Sequence, residues 1–331
     1  MARSATRSSA PAPRDAAPPV HKDLKLTRTC SIARALEVVG DAPTLLILHA
    51  AWIGARRFGD FRSRTQLLQA QLSDRLKRLV AHGVFRLEPY GDSESRMAYR
   101  LTPKGLDLYW MALTGVTWER RWLTQEHLGN IRLRHRGCGH AFVPLTVCTT
   151  CDHQIRFEDV TPSAGPGAGW MSATYSRRRQ QRNVIDLEGA GPSFLTESIL
   201  INGDRWATLI LRAIFSGYHR FEDIRLDAGM ATNILSERLN WLQSIGMVRA
   251  QTYDVAYNRV EYHLTEKGAE FYPILVMLMV WGDAHYPSPE GPPEVLLHAP
   301  DGHPLTPAVV CSHCREPVGP RDVEFERTPA D

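Results

Sequence analysis

Shifted by 163 positions, the chain falls on itself without a gap from Gly40 to Cys151. Gly40-Asp41 meets Gly203-Asp204, Phe58 meets Phe221, and Leu72-Ser73 meets Leu235-Ser236. Arg75-Leu76 meets Arg238-Leu239, Lys104-Gly105 meets Lys267-Gly268, and Cys148 and Cys151 meet Cys311 and Cys314. A period this long is a duplicated domain; solenoid units run to about 20–50 residues. Two copies of one fold can present two equivalent surfaces from a single chain, which a homodimer otherwise supplies by symmetry.

Each copy carries the same run of elements. A helix over about Ser31–Val39 ends at Gly40, and a second opens after Asp41 with Leu45, Leu46, Ile47 and Leu48 as core. Phe58 and Phe61 mark one face of a short third helix. Leu68, Leu72, Leu76 and Leu79 then recur at helical spacing, matched by Leu235, Leu239 and Leu242. Val84–Pro89 and Met97–Leu101 flank a polar loop and read as a hairpin, as do Met247–Thr252 and Val260–Leu264. Thr102-Pro103-Lys104-Gly105 opens a last helix running to about Trp122. Trp110, Trp118 and Trp122 there, and Trp281 in copy two, belong either to an interface between the copies or to the core of each.

The fold class expected is mostly α with small β wings, two winged helix-turn-helix domains in tandem, each with a small β-hairpin or zinc-ribbon-like extension. The boundaries are 1–22 for a disordered tail, 23–126 for domain one, and 127–160 for its extension. A linker follows over 161–192, domain two over 193–287, its extension over 288–325, and a tail over 326–331. The linker holds a basic cluster, Arg177, Arg178, Arg179 and Arg182, most simply read as solvated.

The ordered text resembles the HxlR family of bacterial transcription regulators. The matching runs in copy one are Cys30-Ser31-Ile32-Ala33-Arg34, Gly40-Asp41, Thr44-Leu45-Leu46-Ile47-Leu48, Arg57-Phe58-Gly59-Asp60-Phe61, Leu72-Ser73-Asp74-Arg75-Leu76 and Tyr99-Arg100-Leu101-Thr102-Pro103-Lys104-Gly105. Copy two offers Gly203-Asp204-Arg205-Trp206, Leu235-Ser236-Glu237-Arg238-Leu239 and Glu261-Tyr262-His263-Leu264-Thr265-Glu266-Lys267-Gly268. The resemblance spans about Cys30–Leu123 and Ser193–Asp283, and implies a DNA-binding regulator that works as a dimer. Pro43 departs from the pattern where copy two has Trp206, and Leu68-Gln69-Ala70 lacks the family's Ser-Pro-Arg text. Cys30 stands where some members carry a redox-sensing cysteine, against the plainer reading of a buried thiol at a helix start.

In a winged helix the second helix of the motif enters the major groove with its first residues at base edges. Those positions are Gln69, Gln71, Ser73 and Arg75, and in copy two Thr232, Asn233, Ser236 and Arg238. Gln and Asn pair with adenine and Arg with guanine, while for Arg75 and Arg238 a structural ion pair is an equal alternative. Arg57, Arg62, Arg64, Lys77 and Arg78 supply phosphate contacts, and Arg96 and Arg259 stand in the wings, as readers or as solvated tips. From Gly54 to Glu88 eight basic residues face three acidic ones, a balance of +5, whereas Gly217–Gln251 balances to zero. Copy one is therefore expected to grip DNA more strongly.

Behind each winged helix lie aligned metal-ligand residues. His135-x-x-Cys138-Gly139-His140 precedes Cys148-x-x-Cys151, and His298-x-x-Asp301-Gly302-His303 precedes Cys311-x-x-Cys314. Paired tight turns of this kind build a structural zinc site. The expected sets are His135, Cys138, Cys148 and Cys151 in copy one, and His298, His303, Cys311 and Cys314 in copy two. His140 and Asp301 remain alternative ligands.

A net charge of +3 argues little by itself, and no apolar stretch approaches the ~20 residues of a membrane helix. The Met1–Lys22 stretch lacks the apolar run of an export signal, so a cytoplasmic, nucleoid-associated protein with reduced thiols is expected. No Gly-rich phosphate loop or paired nucleophile and base stands out, so an enzyme is not expected. The leading function is a sequence-specific DNA-binding regulator in which the copies pair with each other, with further homodimerisation left open. The alternative is an interaction or sensor module, redox or small-molecule, whose second copy has lost DNA binding.

Overall fold

The computed structural model describes residues 26–91, 93–123, 131–172, 195–254, 259–299 and 301–327. The expected tail 1–22 and the cluster Arg177, Arg178, Arg179 and Arg182 lie outside them. After a short strand β1 (Leu26–Arg28), copy one runs α1 (Ser31–Val39), α2 (Ala42–Trp52), α3 (Phe58–Thr65), α4 (Gln69–Ala81), β2 (Phe85–Tyr90), β3 (Ser93–Leu101), α5 (Pro103–Asp107) and α6 (Tyr109–Trp122). Its extension carries β4 (Ile131–His135), β5 (Pro144–Cys148), β6 (Val160–Ala164) and β7 (Trp170–Ser172). Copy two repeats the winged helix as α7 (Thr196–Asn202), α8 (Arg205–Phe215), α9 (Phe221–Ala228), α10 (Thr232–Ser244), β8 (Val248–Asp254), β9 (Arg259–Leu264), α11 (Glu266–Ala269) and α12 (Tyr272–His285). Its extension is β10 (Glu294–His298), β11 (His303–Pro304), β12 (Pro307–Cys311) and β13 (Val323–Arg327).

The helix ends follow from local chemistry. Asp41 caps α2 by accepting from the Thr44 backbone N–H at 3.0 Å, and Asp204 caps α8 from Trp206 and Ala207 at 3.0 and 2.9 Å. Thr102 and Thr265 cap α5 and α11 through Gly105 and Gly268. Those glycines are required by close approach, since a Cβ at either would overlap the backbone carbonyl of Val84 or Met247. The helix expected to run unbroken from Thr102 to Trp122 is instead interrupted at Leu108, between α5 and α6.

The copies share one core about an internal two-fold. Trp118 donates its indole N–H to the Lys267 carbonyl at 2.9 Å, and Trp281, 163 residues on, donates to Lys104 at 2.8 Å. Asp41 bridges to its own counterpart, Asp204, as residues on a dyad do. α1 packs on α12 and α7 on α6, so each copy's first helix covers the other's last. Both tryptophans are buried, which resolves the alternatives left by the sequence: they are core and interface at once.

The extensions are where the architecture departs most from expectation. They are not two separate ribbons. β5 pairs antiparallel with β12, β4 with β13, and β6 with β10, each partner coming from the other copy. The segment expected to begin a linker at 161 thus continues β6, and β7 pairs with β1.

Candidate nucleic-acid interface and metal centres

α4 is positioned by burial of Leu72, Leu76 and Leu79, which leaves Gln69, Ala70, Asp74 and Lys77 exposed and Gln71 and Ser73 half-buried. α10 buries Leu235, Leu239 and Leu242 and exposes Thr232, Asn233 and Ser236. Arg62, Lys77, Arg96 and Arg259 are also exposed. Arg57 lies over the Tyr90 ring of the wing at 4.4 Å, and Arg64 donates to the Ile53 carbonyl at 2.9 Å.

Three expected DNA contacts are engaged inside the fold. Arg75 donates to the cap Asp41 at 3.0 Å, and its equivalent Arg238 donates to Asp204 at 2.5 Å with a side chain only 9% exposed. Arg78 lies 3.6 Å from Asp41 and donates to the Glu37 carbonyl at 3.1 Å. A cap carboxylate already fixed by backbone N–H groups is a ready acceptor for a guanidinium one helix away. Arg75 and Arg238 therefore lock α4 to α2 and α10 to α8. Cys30 is a free thiol buried at the start of α1.

The eight residues expected as metal ligands all come together, but in different sets from those expected. One group joins His135 and Cys138 of copy one to Cys311 and Cys314 of copy two. The other joins Cys148 and Cys151 of copy one to His298 and His303 of copy two. The cross-copy strand pairing carries each Cys-x-x-Cys turn away from the His of its own extension and onto that of its twin.

Local geometry prepares the turns. Gly139 and Gly302 take left-handed φ values of 73° and 65°, and each closes back onto the carbonyl of His135 or His298. Asp152 and Arg315 are left-handed at the ends of the two Cys turns, and form an ion pair with one another at 2.7 Å.

Within each group the four donor atoms all lie within 4.8 Å of one another. Cys314 Sγ is 3.3 Å from His135 Nδ1, and Cys138 Sγ is 4.0 Å from Cys311 Sγ. Cys148 Sγ is 3.3 Å from His303 Nε2, and Cys151 Sγ is 3.2 Å from His298 Nδ1. A tetrahedron with bonds of about 2.0–2.3 Å has edges of about 3.3–3.8 Å. The His140 backbone N–H beside Cys138 pulls its thiol down to about 6. Burial alone would raise the Cys148 thiol, but hydrogen bonds from Thr306 and His303 bring it down to about 5. Both clusters can bind a metal ion. Asp301, aligned with Cys138, is outside both four-residue groups, and His303 supplies the fourth donor in its place. His140 stacks on His313 at 3.7 Å between ring centres, and with Cys138 forms a more exposed third grouping.

Sequence reasoning missed Glu119, buried on α6, which accepts from the Ser198 N–H and hydroxyl of α7, both at 2.7 Å. Burial pushes its carboxyl up to about 7. Glu119 lies one helical turn beyond Gly115, on the face of α6 that meets Ser198, and in sequence it is hidden beside Arg120 and Arg121.

An exposed second helix beside a β wing, built twice around one core, defines a helix-turn-helix DNA-binding regulator of transcription. The HxlR-like helix-turn-helix family matches residues 38–127 and again 201–290, and the chain belongs to that family. An uncharacterized HTH-type transcriptional regulator of Mycobacterium tuberculosis is 40% identical over 137 residues, 41% of this chain and 87% of that protein. That relative is thus about as long as one repeat. A regulator of the same description from Escherichia coli is 33% identical over 84 residues, 25% of this chain and 67% of that protein. Among solved structures, diamide-treated YodB from B. subtilis is 26% identical, covers 29% of this chain and 94% of its own, and has a TM-score of 0.25. The match to transcriptional regulators sets aside an enzyme. Among the described residues, no helix is long and apolar enough to cross a membrane.

Proposed function

We propose that this chain recognises an operator in double-stranded DNA as its own dimer, with α4 and α10 entering successive major-groove faces of an imperfect palindrome. The observation that carries this reading is the internal two-fold, in which Trp118 to Lys267 and Trp281 to Lys104 are reciprocal contacts. Gln69, Gln71 and Ser73 read bases from copy one, and Thr232, Asn233 and Ser236 from copy two. Arg57, Arg62, Arg64, Lys77 and Arg96 hold phosphate for the first half-site, and Arg259 for the second. Copy one is the stronger grip, because Gly54–Glu88 carries a balance of +5 with Arg62 and Lys77 exposed, whereas Gly217–Gln251 balances to zero and its Arg225 is paired with Glu222. The ion held by the two clusters is zinc, which thiolate and imidazole donors favour over harder ions. The protein works in the cytoplasm on the nucleoid.

The test is the salt dependence of DNA binding. Arg62→Ala with Lys77→Ala should flatten the slope of log K against log salt by about two, since each phosphate contact contributes about 0.9. An unchanged slope would move the main grip elsewhere.

A further inference from the structure

We infer that the two metal ions are clasps between the copies, each held half by one copy and half by the other, and that metal loading sets the alignment of the two reading helices. The inference rests on the zinc reading above and goes beyond it in assigning each ion to both copies.

The grouping of donors is the first support. Neither four-donor cluster can be completed by the residues of one copy: His135 and Cys138 are completed by Cys311 and Cys314, and Cys148 and Cys151 by His298 and His303. The second support is where the clusters sit. Cys148 ends β5 opposite Pro307, and Cys311 ends β12 opposite Pro144, so the two sites close the opposite ends of one two-stranded cross-copy ribbon. At about 3.4 Å per residue those ends are roughly 14 Å apart. An ion at each end prevents both sliding and fraying of the pair.

The third support is the route to the DNA-binding helices. The ribbon is fastened to α6 by Thr117, which donates to the Pro144 carbonyl at 2.7 Å, and by the Thr114–Thr146 hydroxyl pair at 2.9 Å. Trp110 of α6 donates to the Val318 carbonyl of the other extension at 2.8 Å. α6 in turn holds copy two through Trp118 on Lys267, and Lys267 bonds the Ile245 carbonyl at the end of α10 at 2.9 Å. Loss of an ion therefore loosens a contact chain that ends on a reading helix. The sites also differ: three sulfurs and one nitrogen in one, two of each in the other. They should release metal at different chelator strengths.

The experiment uses the full chain and counts zinc. The expected content is two per chain. Cys138→Ser and Cys314→Ser should each leave one, and the double variant should still leave one, because both residues serve the same ion. Cys138→Ser with Cys148→Ser should leave none. Zinc retained in the opposite pattern, none in the first double variant and one in the second, overturns the clasp while keeping the zinc reading. A wild-type chain that binds no zinc overturns both.

Stepwise chelation of the unmutated protein with thiol alkylation gives the same answer without any variant. Cys138, Cys311 and Cys314 should become reactive together, and Cys148 and Cys151 together. Alkylation grouped as Cys138, Cys148 and Cys151 against Cys311 and Cys314 contradicts the clasp. On the clasp, operator affinity falls at least tenfold as the first ion leaves; affinity that survives complete removal of both ions rules out control of the reading helices.

Discussion

On α4, Gln69 is exposed while the Arg75 guanidinium, 3.0 Å from Asp41, is mostly covered, so substitution should separate readout from stability. Gln69→Ala is expected to change unfolding free energy by less than about 0.5 kcal/mol. It should weaken discrimination at one operator base by about 1–3 kcal/mol. Arg75→Ala should cost about 2 kcal/mol in urea unfolding, the scale of a hydrogen bond between charged groups, with no change in base preference. Competition binding with single-base operator variants distinguishes the two.

Glu119 supplies a pH signature. Its carboxyl is raised to about 7 in the fold against an ordinary value of 4.5, so between those values the folded state binds the extra proton. Its contribution is full below pH 4.5, falls as pH rises towards 7, and is flat above, a difference on the order of 3 kcal/mol. Glu119→Gln should therefore gain on wild type across that window in paired unfolding curves, and parallel curves would contradict it. His49, lowered to about 4 by burial and by Arg64, acts in the opposite sense over an overlapping range. The variant-minus-wild-type difference is thus the quantity to read.

Among the elements, α6 and α12 carry the load of pairing. Trp118→Phe and Trp281→Phe remove equivalent donors from equivalent half-buried carbonyls, and each should cost about 1 kcal/mol, the scale of a lost hydrogen bond. Strongly unequal costs in thermal unfolding would show that the two-fold is not shared energetically. These helices were legible in sequence because their Trp and Leu spacing is local. The break at Leu108 was not, since Gly105 is held against Val84 by a tertiary contact that no local pattern announces. The ion pairs of Arg75 and Arg238 were visible only as one of two open alternatives. An arginine at a helix position facing another helix reads the same whether its partner is a carboxylate or a phosphate.

At the scale of the whole molecule, the repeat made the duplicated fold and the eight clustered His and Cys residues readable, but not how those residues are shared. With a 163-residue period, Cys148-x-x-Cys151 has two geometrically equal complements, His135 with Cys138 and His298 with His303, and spacing cannot choose between them. The choice is made by strand pairing: β5 lies against β12 because the dyad that aligns Trp118 with Trp281 also brings those strands edge to edge. The measurement that bears most directly on the pseudo-dimer is the stoichiometry of the operator complex, taken by sedimentation on a duplex selected from random DNA. One chain should occupy two inverted half-sites about one helical turn apart, with the half-site under copy one the more protected. Two chains on that duplex, or one chain on a single unpaired half-site, would contradict the account.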